Sequence, residues 1–444
     1  MGGVGGEMPP TARPPVLRML AAFLARRFRA CFARVVFRPS LALVAASLLL
    51  ACLSCGGASP PAAPTGASPR PSSLLVGAHY YLWFPSRFEG GRYLRARLDP
   101  AQKPLLGEYS SSAAAVVERH IAWAADSGVD FFTLDWWPGN PNRNAVIEQS
   151  FLAARNISWI RFCIFYELGA LGYDAGSGAT HFDGATVERF LSDTSEIAAR
   201  YFRHPLYLRV EGRPVIVLYI TRTATGRFAE AMTRFRARMG EQGFDPYVIG
   251  DEIYWTVARE DGTGDAAEPQ RGRIALFDAI TAYNLYDPTR RTQSGYGASS
   301  TLVSEAHSLY EFYRTVGKKP VVPVAMPGYN DRAFRPEAGH DAIPREWAAG
   351  AGEGSFFARW LDHFALPLVD ARLRMLLVTS WNEWSEDTAI EPVAPSFATA
   401  TDRSASGSGY TQGYAYAGYG TRYLEVLREK KAAASASSPP RADR

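Results

Sequence analysis

Eight short apolar runs alternate with amphipathic helical patterns between residues 74 and 430, and this alternation limits the possible folds more than any other feature of the chain. Most of the runs are almost continuously apolar, as the strands of a parallel sheet are when both faces are covered. The predicted strands are Leu74–Trp83, Val129–Trp136, Trp159–Glu167, Pro214–Ile220, Tyr247–Ile253, Phe277–Tyr283, Pro320–Met326 and Arg374–Trp381.

Eight strands with intervening helices predict an α/β fold made of a single (β/α)8 TIM barrel. An open, doubly wound sheet is the alternative. It is disfavoured because no glycine-rich phosphate-binding loop follows the first strand. No linker-like composition interrupts residues 74–430, so this region is predicted to be one domain.

The carboxyl ends of the predicted strands are rich in aromatic, acidic and amide residues. In a TIM barrel these ends carry the functional site. Aromatic rings with a polar edge suit the faces and hydroxyls of sugars, and acids can hydrogen-bond those hydroxyls. The candidate substrate-binding residues are Tyr80, Tyr81, Asp135, Trp136, Glu167, Tyr219, Glu252, Tyr283, Tyr329, Trp381, Asn382 and Trp384.

The most informative motif is TSWNEWSEDTAIEP, residues 379–392, directly after the last predicted strand. It places Glu383 and Glu386 three positions apart, beside Trp381 and Trp384. Three residues are about one turn, so both carboxylates are expected on one side of the chain. Hydrolysis of a glycosidic bond needs such a pair, because one acid protonates the leaving oxygen and the other assists attack at the anomeric carbon.

Other reaction classes lack their sequence patterns. No GxSxG motif suggests a serine nucleophile, and no HExxH motif or clustered His/Asp spacing suggests a metal. We therefore expect neither a metal nor an organic cofactor.

The formal net charge of +4 is unevenly distributed. Residues 1–52 hold seven arginines and one acid, so the rest of the chain carries a net charge of −2. No basic patch interleaved with aromatics is present, so no nucleic-acid partner is expected. The expected partner is a polysaccharide or glycan substrate.

The basic start precedes a short apolar run, Leu41–Leu50, and then Ala51-Cys52, which is typical of an export signal. The run is shorter than the ~20 apolar residues of a membrane span. Residues 49–52 also resemble a bacterial lipobox, which predicts lipidation of Cys52 and no other membrane contact. Cleaved secretion and an uncleaved anchor are the alternatives. Thus residues 1–52 are predicted to be a signal peptide, 53–73 a Ser/Pro/Ala-rich tether and 431–444 a disordered tail, in a protein exported to the bacterial cell envelope.

Several segments resemble glycoside hydrolase family 99, the endo-α-mannosidase and α-mannanase group. They are HYYLWF (79–84), PLLGEYSS (104–111), GVDFFTLDWW (128–137), VEGRPVIVLYI (210–220), PVAMPGYND (323–331) and SWNEWSEDTAIEP (380–392). They follow the family's order across almost all of residues 74–430. The resemblance implies a (β/α)8 barrel and retaining cleavage of α-mannosidic bonds.

The resemblance also implies residue roles. Glu383 would take the proton from the sugar's own 2-hydroxyl, which attacks the anomeric carbon to form a 1,2-anhydro sugar. Glu386 would protonate the departing oxygen and then deprotonate water, and it would be kept protonated by Trp384 and by the charge of Glu383. Tyr80 and Tyr81 would line the subsite of the reacting sugar.

Three positions depart from the family pattern. Ser385 and Asp387 stand where the family has His and Gly, and Ala389 stands where it has Gln. The missing His removes a substrate contact, so mannose specificity does not follow from the motif. A non-catalytic glycan-binding protein and a polysaccharide-assembly protein on the same scaffold are the alternative functions.

Overall fold

The computed structural model describes residues 74–255, 271–287, 295–296 and 299–436. The predicted signal peptide, the predicted lipidation site Cys52, the predicted tether and the end of the predicted tail lie outside these residues. Within the described part of the chain, no helix combines the length and the apolar character needed to cross a bilayer.

The core of the structure is a parallel barrel, which confirms the predicted (β/α)8 fold. Its strands follow one another around the barrel in chain order, and the last pairs with the first through Leu75 and Met375. The strands are β1 Leu75–Tyr80, β2 Phe131–Trp136, β3 Arg161–Tyr166, β4 Arg213–Leu218, β5 Tyr247–Asp251, β6 Ala279–Thr281, β7 in two segments (Val321–Val322 and Val324–Ala325) and β8 Met375–Val378.

Strand β7 is split at Pro323, which has no N–H to donate. The first segment pairs with β6, where Ile280 lies opposite Val321. The second segment pairs with β8, where Val324 lies opposite Leu377. The two segments therefore act as one strand that closes the barrel.

Helices surround the barrel, and their buried residues recur at helical spacing. They are α1 Leu94–Arg97, α2 Ala114–Ser127, α3 Pro141–Val146, α4 Gly184–Tyr201, α5 Phe228–Glu241, α6 Arg271–Ile274, α7 Ser299–Gly317, α8 Ser355–Trp360 and α9 Arg422–Ala436.

Helix α4 illustrates why these segments are helical. The Asp183 side chain caps its first turn by accepting a hydrogen bond of 2.8 Å from Thr186 N. Val187, Leu191 and Ile197 are among its buried residues and form the apolar stripe that packs on the barrel.

Short sheets outside the barrel are formed by Tyr173–Asp174, Ala179–Phe182 and Ala224–Gly226, and by the pair Val393–Thr399 and Tyr416–Gly420. Helix α9 extends to Ala436, so the first six residues of the predicted disordered tail are helical.

Side chains alternate between the barrel interior and the surrounding helices, as they must along a strand. His79 faces inward and hydrogen-bonds Thr133 Oγ1 through Nδ1 at 2.7 Å. Its neighbour Tyr80 faces outward, stacks on Phe132 and reaches His120 Nδ1 on α2 with its hydroxyl. This alternation decides which residues at the strand ends reach the mouth of the barrel.

Candidate active site

A cavity of about 500 Å³ opens at the carboxyl ends of the barrel strands. Its volume lies within the usual range for small-molecule sites. Six residues predicted from the sequence line it: Tyr81, Glu167, Tyr219, Tyr283, Glu383 and Glu386.

Glu383 lies at the start of the turn that follows β8. Its backbone N–H donates to Ser380 Oγ at 2.7 Å, and its Oε1 accepts from Ser385 N at 2.8 Å. Only 4% of the residue is exposed. Burial, reinforced by the charge of Glu386, raises the pKa of Glu383 to about 7. Glu383 can therefore exchange a proton near neutral pH.

Glu386 lies on the same turn and lines the same cavity. Its Oε1 is 3.3 Å from Arg335 Nη1, and its backbone carbonyl accepts from Asn330 N at 2.8 Å. Among the described residues, its Oε2 has no hydrogen-bond partner. Burial raises the pKa of Glu386 above its usual value, while the Arg335 guanidinium opposes that rise. The two carboxylates thus occupy unequal environments, as acid–base catalysis requires.

Burial is the main influence on the pKa of Glu386, and the polar contact of Trp384 lies elsewhere. Trp384 is 1% exposed, donates from Nε1 to Glu391 Oε2 at 3.1 Å and packs beside Tyr93. The charges that act most strongly on Glu386 belong to Arg335 and Asp331.

Tyr81 is held in the cavity wall by Asn382. The Asn382 Oδ1 accepts from Tyr81 N at 2.8 Å, and its Nδ2 donates to Tyr81 O at 2.9 Å. The Tyr81 hydroxyl donates to the Tyr283 hydroxyl at 2.7 Å, and the Tyr219 ring centroid is 5.1 Å from that of Tyr283. Asn382 is fully buried, so it positions a wall residue and does not line the cavity itself.

Glu167 faces a second, buried carboxylate. Asp135 forms an ion pair with Arg143, whose guanidinium carbon lies 4.3 Å from the Trp137 ring centroid. Burial and the nearby charge of Asp135 raise the pKa of Glu167 well above its usual value. Glu167 therefore holds its proton more strongly than an exposed glutamate does, and it hydrogen-bonds Asp135. Asp135 lies behind it and does not line the cavity.

Five further residues predicted to bind substrate are buried and do not line the cavity. Tyr80 contacts α2 as described above, and Trp136 stacks on Tyr166 with centroids 5.6 Å apart. Trp381 is fully buried, with its ring edge against Phe132. Tyr80 and Trp136 lie in strands and point outward, because successive strand residues face opposite sides, whereas Trp381 lies beyond the end of β8.

Glu252 and Tyr329 complete this set. Glu252 is fully buried and accepts from Arg273 Nε at 2.9 Å. Tyr329 stacks on Tyr286 with centroids 3.8 Å apart, and its hydroxyl donates to Asp331. Like Trp384, these five residues are buried and do not line the cavity.

Sequence reasoning missed the cationic side of the cavity. Arg87, Arg222 and Arg335 all line it, together with Trp83 and Phe334. Arg87 and Arg335 lie in loops and Arg222 lies in a single 3-10 turn, where no periodic pattern indicates which way a side chain points. Within the described part of the chain, no cluster of three His, Cys, Asp or Glu side chains could hold a metal ion.

The comparisons with known proteins agree on the fold. Residues 183–398, slightly less than half of the chain, match the family described as "Glycosyltransferase WbsX". None of the curated proteins compared with the chain matches it.

Solved structures match more of the chain. A family 99 endo-α-mannosidase from Bacteroides thetaiotaomicron in complex with bis-tris-propane has 19% identity and a TM-score of 0.55, covering 82% of this chain and 99% of that one. A second structure of the B. thetaiotaomicron endo-α-mannosidase has 18% identity and the same TM-score, covering 82% and 98%. A "glycoside hydrolase-like protein" has 18% identity and a TM-score of 0.59, covering 84% and 97%. In both motif order and fold, the chain resembles the family 99 glycoside hydrolases.

Proposed function

We propose that the protein is a glycoside hydrolase that cleaves α-linked, by resemblance α-mannosidic, bonds in a polysaccharide or glycan. The observation that carries this proposal is the pair Glu383 and Glu386, two carboxyls with raised pKa values on one turn of an aromatic cavity. A buried acid whose pKa is raised can protonate a leaving oxygen at higher pH than an ordinary exposed glutamate can.

The first half of the proposed reaction uses both carboxyls. Glu383, as a carboxylate, removes the proton from the 2-hydroxyl of the sugar. The freed oxygen attacks the anomeric carbon, the bond from that carbon to the leaving oxygen breaks, and Glu386 gives its proton to the leaving oxygen. Attack by the neighbouring hydroxyl, and the assignment of Glu383 as the base and Glu386 as the acid, are the parts of the proposal taken from the family resemblance.

The second half regenerates the enzyme. Glu386, now charged beside Arg335, accepts a proton from water while the water oxygen attacks the anomeric carbon. The bond from that carbon to the 2-oxygen breaks, and Glu383 returns its proton to that oxygen. Two displacements at the same carbon give net retention of configuration.

The test compares E386Q and E383Q with the unchanged protein on α-mannan oligosaccharides, by following the release of reducing ends. Each change should lower the turnover number at least about 10²-fold, because one proton transfer is lost. E230Q, at an exposed glutamate that pairs with Arg227, is the control and should keep full activity. Full turnover by E386Q, with α-mannan hydrolysed normally, would remove Glu386 from the mechanism.

Glycan assembly is the second candidate, favoured by the description of the family that matches residues 183–398. Incubation of an acceptor oligosaccharide with and without an activated sugar donor separates the two functions. Hydrolysis should shorten the oligosaccharide without a donor, whereas chain growth that depends on the donor would refute the hydrolase proposal. A protein that only binds glycans would show neither reaction.

We also propose that the protein is exported and anchored by a lipid on Cys52. In cells that express the full chain, C52S should move the protein from the membrane fraction to the soluble envelope fraction. Unchanged membrane association would contradict this anchor.

A further inference from the structure

Of the three arginines that line the cavity, Arg87 is the one without an ion pair among the described residues. Arg222 pairs with Asp251 at 2.6 Å, and Arg335 pairs with Asp331 at 2.7 Å. Among the described residues, no carboxylate lies within ion-pairing distance of Arg87. Its guanidinium carbon instead lies 4.5 Å from the Trp83 ring centroid and 5.2 Å from that of Phe334.

The loop that carries Arg87 is anchored on both sides. Phe84 and Phe88 are buried and stack with centroids 4.3 Å apart. Phe84 N donates to Ser111 Oγ at 3.2 Å, and Ser111 N donates to Phe84 O at 3.0 Å. The Phe88 ring also lies 6.4 Å from Trp384, on the catalytic turn. Arg87 is therefore held in a fixed place relative to that turn.

Arg87 lies close enough to the catalytic pair to act on both members. Burial raises the pKa of Glu383 and of Glu386, and the positive charge of Arg87 opposes the rise at each. Two rings orient the guanidinium plane but leave its donor edge without an anion. A planar guanidinium presents paired donors that match the two oxygens of a carboxylate or phosphate.

We propose that Arg87 binds an anionic group, a carboxylate or a phosphate, on a sugar of the substrate next to the cleaved bond. This rests on the proposed function, because it names the class of glycan that the same cavity accepts. A neutral sugar would displace water from Arg87 without giving its donor edge an anionic partner, whereas an acidic sugar would supply one.

Binding measurements test this separately from hydrolysis. The probes are methyl α-mannoside and methyl α-glucoside, each in its neutral form, as the 6-carboxylate and as the 6-phosphate, with inorganic phosphate as a further arm. Titration calorimetry with the unchanged protein should show at least one acidic probe bound about tenfold more tightly than its neutral counterpart, which is about 1.4 kcal/mol. The form that binds better identifies carboxylate or phosphate as the recognised group.

R87M should bring the acidic and neutral probes to nearly equal affinity, and R87K should keep only part of the preference, because it retains the charge without the paired donors. R92M is the matched control, since Arg92 stacks on the same Phe334 ring at 5.0 Å and does not line the cavity. R92M should keep the full preference.

Equal affinity for acidic and neutral probes, or no binding of any probe at millimolar concentration, would overturn the proposal. So would an equal loss in R92M and R87M, or inorganic phosphate binding as tightly as the sugar phosphates. A protein that shows the preference but hydrolyses nothing would contradict the proposed function and leave the role of Arg87 standing.

Discussion

Arg345 binds both the side chain and the backbone carbonyl of Asp387. Its Nε donates to Asp387 Oδ2 at 2.8 Å. Its Nη2 donates to the backbone carbonyls of Asp387 and Ala389 at 2.6 and 2.9 Å. Arg95 donates to the other oxygen, Oδ1, at 2.9 Å, and it also pairs with Glu353. Asp387 has a φ of 49°, a conformation that suits glycine, which the resembled family has there. The carboxylate therefore explains the departure from glycine, because together with Glu353 it neutralises two buried arginines beside the turn that carries Glu386.

D387N should lower the free energy of unfolding by about 3–5 kcal/mol, because it leaves Arg95 and Arg345 partly uncompensated in the interior. Urea unfolding measures the effect, with E230Q, at an exposed pair, expected to cost at most about 1 kcal/mol. D387G should also be destabilised, because relieving the backbone strain returns only about 1–2 kcal/mol. Unchanged stability of D387G would contradict this, because it would limit the net contribution of the ion pairs to the about 1–2 kcal/mol of relieved strain.

The raised pKa of Glu383 predicts a pH-dependent stability. Between its usual value of about 4.5 and about 7, the folded protein keeps the Glu383 proton that the unfolded chain releases. The folded state binds more protons in this window, so stability should fall as pH rises through it. E383Q cannot titrate, so above pH 7 it should exceed the unchanged protein by up to about 3 kcal/mol.

Thermal unfolding of both proteins across this pH range measures the difference. E230Q, which alters an exposed carboxyl, should show no such gain. A constant difference between E383Q and the unchanged protein from pH 4 to 8 would contradict the raised pKa.

R335M tests the charge beside Glu386. Burial raises the pKa of Glu386 and Arg335 lowers it, so removing the guanidinium should raise the pKa further. If Glu386 is the proton donor, the alkaline limb of the pH profile of kcat/KM should move to higher pH. R332M is the control, because Arg332 donates to the backbone carbonyls of Gly409 and His340. An alkaline limb that stays in place would mean that another group sets it.

E252Q separates a supporting residue from a substrate-binding one. Glu252 is fully buried against Arg273, so the change should lower the free energy of unfolding by about 3 kcal/mol. Because Glu252 does not line the cavity, KM should stay close to that of the unchanged protein. Steady-state kinetics below the unfolding temperature measure this, and a large rise in KM with unchanged stability would restore Glu252 to the substrate-binding residues.

The sequence was sufficient to predict the barrel, because the pattern that indicates each strand lies within a short stretch of the chain. A strand buried on both faces must be apolar at nearly every position, so each strand shows in its own residues. The motif after β8 placed Glu383 and Glu386 on one turn at the cavity for the same reason, since three positions of chain determine their relation.

The sequence did not show which side of the sheet each residue faces. Tyr80 and Tyr81 are both aromatic, and nothing in their types shows that Tyr80 packs against α2 while Tyr81 faces the cavity. Trp136 and Glu167 both stand at strand ends, and the sequence does not show that Trp136 packs in the interior while Glu167 lines the cavity. In a barrel covered by helices both sides of the strand are apolar, so the alternation that would reveal the inward face is lost.

What the sequence by itself determined is therefore the fold, the place of the site at the carboxyl ends of the strands and the identity of its two central acids. Only the tertiary structure decided which charges act on those acids. Arg335 contacts Glu386 although the two are 51 positions apart in the chain, and Arg345 contacts Asp387 although these are 42 positions apart. Electrostatic effects depend on distance in space and on burial, and neither can be read from the spacing of residues along the chain.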